Sequence, residues 1–173
     1  MSIRWIKRII AGCHGISEYS GRIVSWLTLA MVLVTFLIVV LRYQFNMGWI
    51  ALQESVTYMH ALVFLIGSTY TLKHDGHVRV DIFYRHFSER TQAWVNLLGT
   101  VLMLFPVAGL ILWTGWDYVL SSWRLLEGSR EAGGLPFVYL LKSAIPLMAI
   151  LLIVQGIADT LLNILRLVDK ESV

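Results

Sequence analysis

LKHDGHVRVD, at residues 72–81, is the most polar passage in a very apolar chain of 173 residues. Two long hydrophobic segments precede this passage and two follow it. Hydrophobic residues make up 57% of the chain and charged residues only 14%, whereas soluble domains contain roughly 45–50% and about 25%. Such a chain in water would expose apolar surface that its polar residues do not cover. The sequence therefore predicts an all-α integral membrane protein, with residues 1–173 in a single membrane domain.

The four hydrophobic segments are each long enough to cross a bilayer. A helix rises 1.5 Å per residue, so about 20 residues span the roughly 30 Å of hydrocarbon. The first segment has 19 uncharged residues at 23–41, and the third has 26 at 91–116. We expect transmembrane helices at about 23–42, 49–72, 91–116 and 135–165.

The residues before the first span form an amphipathic pattern. Apolar residues recur there at intervals of three and four, and the basic residues fall on another face. The apolar set is Ile3, Ile6, Ile10 and Cys13. This pattern predicts an interfacial helix at 3–16 that lies on an anionic leaflet, with a disordered basic tail as the alternative. Tryptophans near helix ends are expected to anchor the helices at the membrane interfaces: Trp5, Trp49, Trp94 and Trp116.

The distribution of lysine and arginine predicts how the four spans are oriented. With four spans, both termini lie on one side of the membrane, together with the central loop that contains LKHDGHVRVD. That side carries ten lysine and arginine residues and the other side carries four. Because cytoplasmic segments of membrane proteins are enriched in basic residues, we expect both termini and the central loop in the cytoplasm.

LKHDGHVRVD also contains residues of the types that bind metals. His74, Asp75, His77 and Asp81 lie close together in sequence. A metal site needs ligands held in a defined geometry by supporting contacts, and no second cluster elsewhere in the sequence completes this one. We therefore predict no metal ion here. We expect the basic groups to meet anionic lipid headgroups, and we assign His77, Arg79 and Asp81 structural contacts with lipid or with a partner protein.

Glu54 lies about one and a half turns inside the start of the second predicted span. A carboxylate near an interface costs less than one at the bilayer centre, but it still needs a partner. Arg42 stands across the short turn between the first two spans and is the natural candidate. The sequence therefore predicts that Arg42 and Glu54 pair.

Charge and motif content argue against several function classes. The net charge of +3 is small and dispersed, which gives no support for nucleic-acid binding. His60 is the one histidine clearly inside a span, so paired haem ligands are lacking and we expect no cofactor. We find no Ser/His/Asp set, phosphate-binding glycine loop or catalytic carboxylate pair. The sequence therefore predicts a protein that is not an enzyme.

Several short motifs together resemble a known family. They occur in the order Arg42-Tyr43, Leu52-Gln53-Glu54, Phe64-Leu65-Ile66-Gly67, His77-Val78-Arg79-Val80-Asp81 and Ile145-Pro146-Leu147. Each motif alone is weak, but their order and spacing cover nearly the whole chain. The chain resembles the small membrane subunit, the DctQ type or Q subunit, of tripartite ATP-independent periplasmic (TRAP) transporters. Many members carry two acidic residues where this chain has Gln53 and Glu54.

The resemblance implies a function in transport across the bacterial inner membrane. Such a subunit works beside a large multi-span permease subunit, M, which carries the substrate site, and a periplasmic binding protein that delivers an organic acid. A sodium gradient drives uptake, and the small subunit enlarges the fixed scaffold without a catalytic site. Two other hypotheses about function stay open: a stand-alone small exchanger or channel, and a membrane anchor of an electron-transfer complex.

Overall fold

The computed structural model describes residues 3–77 and 81–168 of the chain. Within these residues the protein consists of helices joined by short turns and loops, and it contains no strand. The helices are α1 (Ile3–Phe45), α2 (Ile50–Lys73), α3 (Asp81–Tyr84), α4 (Glu89–Gly99), α5 (Phe105–Arg124) and α6 (Val138–Val168). A π-helical segment, Thr100–Leu104, joins α4 to α5, so that Glu89–Arg124 forms one long helix. Four helices in this part of the chain are long and apolar enough to cross a membrane, which confirms the predicted all-α fold with four spans.

Helix α1 differs from the prediction because it is a single helix of 43 residues. At 1.5 Å per residue it is about 64 Å long, roughly twice the thickness of the hydrocarbon core. Residues 3–16 are helical, as predicted, but they continue into the first span and do not form a separate helix. The reason is packing: Ile10, Ser17 and Val24 are buried at seven-residue intervals, and this stripe keeps the N-terminal part of α1 against the bundle. The position of residues 3–16 on an anionic leaflet stays a prediction.

The long helix that contains α4 and α5 extends beyond the predicted third span. Its start is capped by Ser88, whose Oγ accepts a hydrogen bond from the Thr91 N–H at 3.3 Å, as expected for an N-cap. It ends at Arg124, whereas the predicted third span ends at Trp116, about two helical turns earlier. Trp116 therefore lies inside α5, and the loop that precedes α6 covers only residues 125–137.

The π-helical segment has a local cause in Pro106. Proline has no N–H, and its ring clashes with the carbonyl group four residues earlier, so a regular α-helix is disturbed around it. Here the Phe105 N–H bonds to the Thr100 oxygen, five residues back, which is the pattern of a π-turn. The π-turn contains one residue more than an α-helical turn, and the helix continues beyond the proline.

Helix α6 is the central element and packs against α1, α2, α4 and α5. Its buried positions are mostly small or polar: Ala144, Ala149, Gln155, Gly156, Ala158 and Asn163. A Cβ added at Gly156 would lie 2.7 Å from Leu104 and Phe105 of the neighbouring helix. Small residues at such contacts let helix backbones approach closely, which is how helices associate where lipid removes the hydrophobic driving force.

The helices run alternately up and down. Lys73, at the end of α2, contacts Glu18 in the first half of α1, and Glu54, near the start of α2, contacts Leu135 just before α6. Helices α2 and α6 are therefore parallel. We call the end where α1 begins and α6 ends the proximal end. The opposite end, with the α1–α2 turn and the loop at 125–137, is the distal end.

Candidate functional site: polar contacts at the two ends of the bundle

Glu54 connects α2 to the α5–α6 loop at the distal end. Its Oε2 accepts a hydrogen bond from the Leu135 N–H at 2.6 Å, and its Oε1 accepts one from the Ser129 hydroxyl group. Gly134 leaves the space for this contact, because a Cβ there would lie 2.8 Å from Glu54 Oε1. Both carboxylate oxygens thus bind the loop that leads into α6.

The predicted pairing of Glu54 with Arg42 is therefore wrong. Among the described residues, Arg42 makes no ion pair with a carboxylate, and its side chain is exposed in the last turn of α1. The carboxylate of Glu54 is held by groups that precede α6, and not by the helix that precedes α2. A backbone N–H and a hydroxyl group replace the expected guanidinium group.

A second distal contact joins α6 to the same loop. Glu127 Oε2 accepts hydrogen bonds from Lys142 Nζ at 2.5 Å and from the Ser122 hydroxyl group at 2.6 Å. The Lys142 ammonium group, followed by Ser122, lowers the pKa of Glu127 below its ordinary value of 4.5. Lys142 Nζ also lies 4.0 Å from the centre of the Tyr118 ring, a favourable cation–π distance. The first turns of α6 are thus attached to both the loop and the end of α5.

Glu18 makes the corresponding contact at the proximal end. Its Oε2 lies 2.5 Å from Lys73 Nζ and 2.9 Å from His74 Nε2, and its Oε1 accepts a hydrogen bond from Arg22 Nε at 2.8 Å. This carboxylate links α1 to the end of α2. Sequence reasoning missed it, although two signals were available: Glu18 is the first acidic residue of the chain, and it stands four residues before Arg22.

A series of hydrogen-bonded polar side chains in the interior of the bundle lies beside this contact. The Ser17 hydroxyl group donates to Gln155 Oε1 at 2.7 Å, and Gln155 Nε2 donates to Asp159 Oδ1 at 2.9 Å. Asn163 Nδ2 then donates to the Asp159 carbonyl oxygen at 2.8 Å. Gln155 and Asp159 are one helical turn apart and share a face of α6. These hydrogen bonds connect this face to α1 inside the bundle, where an unpaired polar group would be costly.

The comparison with known proteins identifies the family. The profile of the family described as "Tripartite ATP-independent periplasmic transporters, DctQ component" matches residues 31–166. The chain belongs to this family. The match begins within α1 and ends near the end of α6, so all four spanning helices contribute to it. The protein is therefore a multi-pass membrane protein and a small subunit of the TRAP type.

One curated relative is the C4-dicarboxylate TRAP transporter small permease protein DctQ of Vibrio cholerae serotype O1 (strain ATCC 39315 / El Tor Inaba N16961). It is 27% identical over 119 residues, which cover 68% of this chain and 49% of the relative. The match thus spans about half the length of that relative. No solved structure matches the chain.

The structure places part of the LKHDGHVRVD passage of this DctQ-family chain. Helix α2 ends in it: Asp75 adopts a positive φ of 55°, and the Gly76 N–H bonds to the Thr71 oxygen at 2.9 Å, which is a common helix termination. His77 Nε2 lies 3.3 Å from the Ser68 carbonyl oxygen. Arg79 lies outside the described residues, and so does the side chain of Asp81, the first residue of α3. Their assigned contacts stay predictions.

The proposed anchors are also located on the helices. All four tryptophan side chains are exposed, on α1, just before α2, on α4 and on α5: Trp5, Trp49, Trp94 and Trp116. Their contact with the membrane interface stays a prediction. Among the side chains that the structure describes, no three of His, Cys, Asp or Glu come together in a group that would hold a metal ion.

Proposed function

We propose that this DctQ-family chain is the small scaffold subunit of a TRAP transporter in the bacterial inner membrane. It packs against the large permease subunit, M, and a periplasmic binding protein delivers an organic acid that a sodium gradient drives inward. The observation that carries the proposal is the family match across all four spanning helices. The V. cholerae relative bears the name of a C4-dicarboxylate transporter component, which supports a carboxylate as the substrate class.

The contacts of the acidic residues support a scaffold more than a carrier. Glu18, Glu54 and Glu127 are each held by groups of this same chain, and each contact joins two elements of the bundle. A carrier that couples transport to an ion needs a carboxylate that is free to bind and release that ion inside a cavity. These three carboxylates instead fix the helices to one another at the two ends. A rigid frame of this kind suits a subunit that stays still while its partner moves.

We further propose that the proximal end of the bundle faces the cytoplasm. The basic residues that predict this orientation include Arg22 and Lys73, which lie at that end. Alkaline phosphatase fused after Val173 should then be inactive, because it folds only outside the cytoplasm. The same enzyme inserted at Arg130, in the distal loop, should be active. The reverse pattern would overturn the orientation.

The proposed function is tested by deleting this subunit alone. The substrate is first chosen from a panel of radiolabelled mono- and dicarboxylates, as one whose uptake is lost when the gene of the large subunit is deleted. Removal of the small subunit, with the large subunit and the binding protein still produced, should also abolish this uptake. Normal uptake without the small subunit would refute the proposal.

The two rival functions predict other results with the purified protein. A stand-alone exchanger or channel would move the labelled substrate into liposomes that contain this chain and no other subunit, with sodium or proton coupling for an exchanger. An electron-transfer anchor that binds haem would show a haem absorbance band. We expect no substrate flux into the liposomes and no haem absorbance band.

A further inference from the structure

The outer surface of the bundle is apolar on one side. All exposed residues of α6 between 140 and 164, a stretch that the structure describes throughout, are leucine or isoleucine. On α5 the exposed positions before Asp117 are also apolar, with the exception of Thr114. The Thr114 hydroxyl group donates to the Leu110 carbonyl oxygen of its own helix at 2.8 Å. This side of the bundle therefore presents to its surroundings a surface that lipid tails suit.

Helix α2 presents a different surface. Gln53, Thr57 and His60 are exposed and recur at intervals of four and three, so they lie on one face with the exposed Phe64. None of the three polar side chains makes a hydrogen bond within the part of the chain that the structure describes, although the His60 ring lies 5.5 Å from the Phe64 ring. His60 is ten residues from the start of α2, about 15 Å along the helix and near the middle of the hydrocarbon core.

A groove between α1 and α2 continues this polar face toward the proximal end. Its volume is about 520 Å³, and its lining includes small and hydroxyl-bearing residues from both helices: Gly21, Ser25, Thr28, Gly67, Ser68 and Thr71. Small residues on the surface of a spanning helix let a second helix approach closely. We call Gln53, Thr57, His60 and Phe64 together with this groove the α2 face.

We propose that the α2 face is the surface on which a transmembrane helix of the large permease subunit packs. Lipid tails have no hydrogen-bonding groups, so polar side chains near the bilayer centre are costly unless another protein segment covers them. The covering helix carries donors or acceptors opposite Thr57 and His60, and small residues opposite the groove. The proposal rests on the proposed function, which supplies such a partner in the same membrane.

A pair of matched positions tests this surface by photo-crosslinking. Phe64 and Trp113 are both aromatic and are 72% and 80% exposed. They also lie at similar depths. Phe64 and Ile145 each lie ten residues after one partner of the Glu54–Leu135 hydrogen bond, on the parallel helices α2 and α6. Gly115, two residues after Trp113, is level with Ile145, because a Cβ at Gly115 would lie 3.7 Å from Ile145. Phe64 lies on the α2 face and Trp113 on the apolar side. Each is replaced in turn by photoreactive p-benzoylphenylalanine.

The full-length chain carries an affinity tag and is produced with the large subunit and the binding protein in bacterial membranes. After irradiation, purified adducts are identified by mass spectrometry. We expect an adduct with the large subunit from position 64 and none from position 113. With the large subunit co-purifying, three results would overturn the α2 face and leave the proposed function standing. They are an adduct with the large subunit from position 113, an adduct with a second copy of this chain from position 64, and adducts with lipid alone from position 64.

A different result would be that the large subunit does not co-purify with the unsubstituted chain. It would refute the proposed function and this inference with it. A second experiment tests the hydrogen bonds by measuring how much of the large subunit co-purifies with the tagged chain. The variant with Thr57→Val and His60→Leu should retain less of the large subunit, whereas Thr114→Val should retain as much as the unsubstituted chain. Equal recovery from both variants would overturn the role of the polar side chains.

Discussion

At the scale of single residues, carboxylates determine how the ends of the helices are joined. Glu54 illustrates this because its two oxygens accept from the Ser129 hydroxyl group and the Leu135 N–H. Replacement by leucine removes both acceptors and leaves a backbone donor without a partner. We expect Glu54→Leu to lower the midpoint of thermal unfolding in detergent. Arg42→Gln should leave the midpoint unchanged.

A charge exchange separates this arrangement from an Arg42–Glu54 ion pair. The double variant with Arg42→Glu and Glu54→Arg should unfold at the same temperature as Glu54→Arg alone, since an arginine at 54 cannot accept the two hydrogen bonds. Recovery of stability in the double variant would show that the ion pair exists and that the loop contacts are secondary.

Glu127 gives a prediction about pH. Lys142 and Ser122 lower the pKa of this carboxyl group in the folded protein below its ordinary value of 4.5. A carboxyl group with a lowered folded pKa contributes stability that is complete above the unfolded pKa and is lost as the pH falls through the folded pKa. The unfolding midpoint of the native chain should therefore exceed that of Glu127→Gln at pH 7.

The two midpoints should converge as the pH falls below 4.5 and through the lowered pKa of the folded protein, because the native carboxyl group is then neutral as well. Comparison with the variant cancels the titration of the other acidic residues. A difference between the two proteins that stays constant across this range would contradict the assigned contact.

Some of these residue contacts can be predicted from the sequence and others cannot, for a physical reason. Gln155 and Asp159 lie four residues apart, and helical geometry alone brings them together. Glu54 reaches an N–H group 81 positions further along the chain. A backbone donor has no signature in the sequence, whereas the guanidinium group of Arg42 does, so the sequence favours the wrong partner.

At the scale of helices, close approach at small residues holds the bundle together. Gly21 of α1 faces Tyr70 of α2, and a Cβ at Gly21 would lie 2.4 Å from the Tyr70 Cβ. Gly21→Ala must push the two helices apart, which typically costs about 1–3 kcal/mol for an overpacked contact. For a chain of this size we expect the unfolding midpoint to fall by about 2–4 °C per kcal/mol.

Gly12 of the same helix is the matched control, since a Cβ there would have no neighbour within 4 Å. Gly12→Ala should keep or slightly raise the midpoint, because alanine favours a helix over glycine by up to about 1 kcal/mol. Equal effects of the two substitutions would show that the α1–α2 contact does not depend on the missing side chain at Gly21.

Helix boundaries were less predictable from the sequence than the number of helices. The hydrophobic pattern shows which residues suit the hydrocarbon, and it gave four spans correctly. It does not show whether a helix continues beyond the membrane. Helix α1 continues because Ile10 and Ser17 pack against the bundle, and the helix with α5 continues past Trp116 to Arg124. Both extensions depend on contacts between distant segments.

At the scale of the whole molecule, the protein has a fixed frame and two kinds of outer surface. Polar contacts join the helices at the proximal and distal ends, and α6 packs against α1, α2, α4 and α5. Helices α5 and α6 expose mainly apolar residues, whereas α2 exposes Gln53, Thr57 and His60 near and within the membrane core. The sequence predicted the four spanning helices but not the polar contacts that join them. It did not distinguish the two surfaces, because the side of α2 that faces outward follows only from how the helices pack.

The central claim is that this chain works as one subunit of a larger membrane complex. The most direct measurement is the mass of the complex that an affinity-tagged chain brings with it from native bacterial membranes in mild detergent. We predict an equimolar complex with the large permease subunit, identified by mass spectrometry. Recovery of the chain by itself, or only as an oligomer of its own copies, would contradict the account.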